Sequence, residues 1–115
     1  MKTEANLEIR IRELRDKILV ASLNDELEAA IQSLNALKFE VDNFDGNELI
    51  ANELHCRFLE SKLDVSMNFK GRETQLFDTL LEIVRSDYFS EPRRREVVER
   101  GLMSARSQCD YSGRK

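Results

Sequence analysis

From Leu23 to Phe44 the apolar residues fall at Leu23, Leu27, Ala30, Leu34, Leu37, Val41 and Phe44, in alternating steps of four and three with no polar residue at an expected position. A strand returns to one face every second residue and cannot give this spacing, whereas a helix of about six turns with one continuous apolar stripe does. Such a stripe has to be buried against other helices. The preceding segment repeats the pattern, with Leu7, Ile11, Leu14, Ile18 and Ala21 on one face.

The two registers do not join. Continued by heptads, Ile18 and Ala21 lead to Asp25 and Glu28, both charged, and the seam restarts two residues out of phase, where a stutter or stammer inserts four or three. Between them Ser22-Leu23-Asn24-Asp25-Glu26 offers N-cap oxygens from Ser22 or Asn24, followed by acids suited to a first turn. The pattern predicts an antiparallel hairpin of helices at about 4–21 and 24–44; a single kinked helix is the competing arrangement.

Asp42-Asn43-Phe44-Asp45-Gly46-Asn47 concentrates turn formers, with Gly46 in the role of a left-handed stop. Beyond it, Ala51, Leu54, Phe58, Val65 and Phe69 form one helical stripe and Cys56, Leu59 and Leu63 a second beside it, so this helix is apolar over a wide arc and belongs in the middle of a bundle. The alternation of Leu63, Val65, Met67 and Phe69, echoed by Leu37, Phe39 and Val41, allows an α+β alternative with short strands near 37–42 and 63–69. Lys70-Gly71 reads as a helix stop. A fourth helix over about Glu73–Asp87 has Leu76, Phe77, Leu80, Leu81 and Val84 as its buried face, and Tyr88-Phe89 folds back onto the bundle. Ser90-Glu91-Pro92 opens a fifth helix, continued by Val98, Leu102, Ala105 and Cys109. The expectation is an all-α fold, the hairpin extended to a four- or five-helix bundle, with residues 1–109 as a single domain and 110–115 as a frayed tail.

Composition agrees with this picture: 115 residues, 41% apolar and 35% charged, with one Pro and four Gly, describe a helical chain. No stretch approaches the roughly 20 apolar residues of a membrane span, and Met1-Lys2-Thr3-Glu4 does not begin a secretory signal, so a cytoplasmic location with Cys56 and Cys109 as free thiols is expected. The net charge of −4 is uneven: residues 1–90 carry −7 and residues 91–115 carry +3.

Charge and residue type narrow the chemistry. His55 is the only histidine and has no nucleophile motif near it, which speaks against triad-type catalysis. On a helix His55 and Cys56 point about 100° apart and cannot chelate one ion together. Asp42–Glu53 resembles a calcium loop only superficially, because aligning Gly46 with the loop glycine puts Val41 at the first ligand position and Asn52 at the last. Asp25/Glu28 and Asp78/Glu82 have the spacing of paired carboxylates, which exposed helices show routinely. No cofactor, metal or small-molecule substrate is expected, and no enzyme activity.

Two functional readings follow. The first is a non-catalytic helical protein-binding protein of the chaperone, inhibitor, immunity or adaptor kind, presenting an apolar helix face to another protein or a second copy of itself, with Leu27, Leu34, Leu37 and Val41 as contact residues. The second starts from Pro92-Arg93-Arg94-Arg95, three arginines set against a helix N-terminal dipole, which suits a small DNA-binding regulator using Arg93, Arg94, Arg95 and Arg100. Glu91, Glu96 and Glu99 bring acids to the same surface, so pairing of the arginines with protein acids is the simpler expectation. An RNA-facing patch of Arg15, Lys17 and the tail lacks interleaved aromatics for stacking.

Overall fold

A computed structural model describes the backbone of residues 4–113 and the side chains of residues 5–107. It contains five helices, α1 (Glu4–Leu23), α2 (Leu27–Asp42), α3 (Glu48–Asn68), α4 (Glu73–Arg85) and α5 (Glu91–Gly113). No strand occurs among the described residues, so the α+β alternative is set aside: 37–42 lies in α2, and 63–68 in α3 with Phe69 as its extended C-cap. The apolar alternation there arises because this part of α3 packs against neighbours on more than one side: Leu63, Val65 and Ser66 are all buried, while Asp64 and Asn68 are not.

The N-terminal hairpin forms as its pattern requires. All five stripe residues of α1 are buried, and Ala30, Leu37 and Val41 meet them from α2 with Leu27, Leu34 and Phe44 packed at the edges. Leu23 does not join this seam; it ends α1 and is exposed. The turn differs from expectation. Ser22 Oγ donates to the Ile18 carbonyl at 2.8 Å, inside α1, and neither Ser22 nor Asn24 caps α2, whose N-cap is Glu26 without a side-chain bond. Instead Glu26 N–H donates to Ala21 O and Asp25 N–H to Ser22 O, the paired bonds of a Schellman stop, with Asp25 at φ 57° in the left-handed position.

At the next turn Gly46 is not left-handed. The stop is made by Asn43, whose Nδ2 donates to the Phe39 carbonyl, and Gly46 instead gives room to the Phe44 ring. Asn47 then caps α3 by accepting from the Leu49 and Ile50 amides. Gly71, at φ 79°, is the left-handed residue between α3 and α4, and Ser90 Oγ accepts from Arg93 N–H at the start of α5.

α3 is the axis of the molecule. It packs against each of the other four helices, while among the described residues α2 and α4 do not meet each other and neither do α1 and α5. The body is flat, 55 × 32 × 17 Å.

The faces of α4 and α5 are rotated from expectation. On α4 the buried residues are Leu76, Thr79, Leu80 and Ile83, and Phe77, Leu81 and Val84 point outward. On α5 the inward face is Val97, Gly101 and Ala105, with Val98 at its edge and Leu102 exposed. Gly101 draws α5 in, because a β-carbon there would stand 2.5 Å from Leu80 Cδ2. The helix continues past Cys109 to Gly113; the Cys109 side chain and residues 114–115, part of the tail expected to fray, lie outside the described residues.

Candidate functional site

Leu37 and Val41 are 0% and 3% exposed, and Leu27 and Leu34 pack against the same core, so all four contact residues expected from the sequence serve the chain's own α1–α2–α3 packing. The surplus apolar surface lies elsewhere. Phe77, Leu81 and Val84 on α4 and Tyr88 just beyond it are 46%, 49%, 51% and 48% exposed, and the 4-3 spacing of the first three makes a second, outward stripe beside the buried one, with Tyr88 at its end past the helix. Among the other exposed apolar residues Leu19, Val20 and Leu23 group over about one turn at the end of α1. Ile9 is separated from them by the exposed Arg12, Glu13 and Asp16.

The stripe borders a cleft of about 580 Å³ where α2 and α4 diverge over α3. Phe58, Leu59, Leu81 and Tyr88 give it apolar walls, and Lys38 and Asp42 of α2 face Asp78 and Arg85 of α4 across its rim. Tyr88 is fixed by α3: its ring stacks on His55 at 5.1 Å with 23° between planes, and its carbonyl accepts from the Cys56 thiol at 3.3 Å. Burial pushes the Cys56 thiol above its ordinary pKa, so this sulfur stays protonated and acts as a donor. His55 and Cys56 thus work as a positioning pair, each holding a different part of Tyr88.

The adjoining connection is clamped from α5. Arg94 donates to the carbonyls of Ser86 and Phe89, and the Arg93 guanidinium sits 5.6 Å from the Phe89 ring centre. Phe89 folds back and is buried as expected, while Tyr88 remains half-exposed.

The opposite side of α3 is polar. Arg93 bridges Glu53 and Glu60, and Arg57 joins Glu53 to Glu8 of α1, a chain of charges running Glu60–Arg93–Glu53–Arg57–Glu8. Its hydrogen bond to Glu60, reinforced by Glu53, raises the Arg93 pKa, which keeps that cation charged throughout. Arg100 lies 3.7 Å from Asp64. Burial raises the pKa of the Asp64 carboxyl, opposed by Arg100 and Arg15. Of the four arginines that suggested DNA contact, Arg93, Arg94 and Arg100 have partners inside the chain; among the described residues Arg95 alone has none. Arg15 lines a groove of about 530 Å³ between α1 and α3 in which Arg12 and Arg57 alternate with Glu8, Asp16 and Asp64, and Lys17 is exposed.

Among the described residues no three His, Cys, Asp or Glu side chains are grouped to hold a metal ion, and no helix is long and apolar enough to cross a membrane. The chain matches no protein-family model, no curated protein and no solved structure.

Proposed function

We propose that the protein is a non-catalytic helical binding protein that engages another protein through the outer face of α4. The observation carrying this reading is the exposed Phe77–Leu81–Val84–Tyr88 stripe, three large apolar side chains in helix-packing register on α4 with Tyr88 at their end, beside an apolar cleft. Together they offer on the order of 400 Å² of surface, within the range of the largest patch on a typical monomer, where such patches are often functional. Aromatic residues make up half of it, as in the anchors of protein interfaces. The protein core does not use this face, and Tyr88 is held at its end by contacts with α3.

The occupation of Arg93, Arg94 and Arg100 by the chain's own groups supports this reading over DNA binding, because releasing them to phosphates would leave Glu60 without its cation and take from Glu53 and Asp64 one of theirs. The test is affinity capture from the native host with wild type and Leu81→Glu side by side. A stoichiometric protein retained by wild type and lost from a folded Leu81→Glu variant supports the reading; equal capture by both contradicts it.

A further inference from the structure

Resting on that reading of α4 as a binding face, we infer that its occupant is a second copy of this chain, packed antiparallel so that α4 meets α4 across a two-fold axis. Asp78 and Arg85 are seven residues apart and stand on one flank of the stripe, about 10 Å from each other along the helix and too far to pair. Among the described residues neither has an ion-pair partner: Lys38 and Asp42, across the cleft from them, pair with each other at 3.4 Å.

Symmetry decides what can satisfy them. Under a two-fold axis perpendicular to α4, the N-terminal half of one stripe faces the C-terminal half of the other. Asp78 of each copy then lies opposite Arg85 of the other, giving two complementary pairs, while Leu81 faces Val84 across the seam. A parallel arrangement puts the two flanks on opposite sides of the seam, where Asp78 and Arg85 of one copy cannot reach those of the other. The flank is therefore self-complementary in the antiparallel orientation alone, which favours a second copy and fixes its direction. The stripe covers about half the roughly 800 Å² per partner of a standard interface, so association is expected in the micromolar to submillimolar range.

Sedimentation equilibrium from about 10 µM to about 1 mM reads this directly. Wild type is expected to form dimers. Asp78→Arg and Arg85→Asp each replace two attractive pairs by two repulsive ones and weaken self-association on the order of tenfold or more. An equimolar mixture of the two variants restores it as a heterodimer, and the double swap in one chain restores the homodimer. Both positions are exposed, and helix content by circular dichroism checks that the swaps leave the fold intact. A wild type that stays monomeric to the highest concentration overturns the inference. If it nevertheless captures a host protein through Leu81, the binding face stands and only its occupant is wrong; if it captures none, both readings fall. Dimers indifferent to the single swaps also overturn the antiparallel arrangement.

Discussion

Gly101 of α5 lies so close to the buried Leu80 of α4 that a β-carbon on it would stand 2.5 Å from Leu80 Cδ2 and 3.4 Å from Leu63 Cδ1. A glycine inside a helix costs about 1 kcal/mol relative to alanine, and here it brings three helices together. Gly101→Leu is expected to force the helices apart and destabilise the protein by about 1–3 kcal/mol, read as a fall in the urea midpoint at unchanged slope. Leu102→Ala, one position round on an exposed site, should change stability by about 0.5 kcal/mol or less.

The Arg93 bridge makes a second prediction. Arg93→Met leaves Glu53 and Glu60 side by side without their shared cation; because solvent reaches this site, the expected loss is about 1–2 kcal/mol, below that of a fully buried pair. Adding Glu60→Gln should recover part of that loss. A double-mutant cycle on chemical denaturation measures the coupling.

Asp25 holds the left-handed position of the Schellman turn, where glycine has no side-chain penalty. Asp25→Gly is expected to raise stability by about 0.5–1 kcal/mol, and Asp25→Val to lower it by about 1–2 kcal/mol. Thermal melts of the pair check both signs.

Asp64 gives a pH signature. Its carboxyl pKa is raised in the folded state by burial, so the folded protein holds this proton more tightly than the unfolded chain does. Its contribution to stability is therefore present below the unfolded carboxylate pKa of about 4 and is lost as pH rises through the higher folded value. Asp64→Asn should remove this decline, so that the stability of wild type relative to the variant falls as pH is raised across that window. A rise with pH in the same comparison contradicts the assignment.

The all-α fold was legible because helical spacing dominates its first three helices, although the alternation at 37–42 and 63–69 also allowed short strands. α1 and α2 show single stripes, and the wide apolar arc of α3 announces a helix surrounded by others. α4 and α5 were read less well, for different reasons. On α4 two apolar series, Leu76–Leu80–Ile83 and Phe77–Leu81–Val84–Tyr88, run side by side, and the sequence does not say which one faces the core. Their coexistence on a short helix was the available signal of a surplus face. On α5 the pattern of large residues passed over Gly101, whose packing value lies in having no side chain. The Leu27–Leu34–Leu37–Val41 seam was placed correctly on a helix, but α1, from the same chain, fills the surface it presents. The turns were hardest, since Ser22 and Asn24 have capping side chains that the backbone bonds of the Schellman motif make unnecessary.

The central claim is that the outer face of α4 meets another protein, and site-specific photo-crosslinking tests it most directly. A photo-crosslinking phenylalanine placed in turn at Leu81 and Val84, with the exposed Glu28 of α2 as control, is activated in the native host and the adducts are separated by mass. The account predicts a discrete protein adduct from positions 81 and 84, at twice the chain mass if the occupant is a second copy, and none from position 28. No adduct from the α4 positions, or the same adducts from all three, contradicts it.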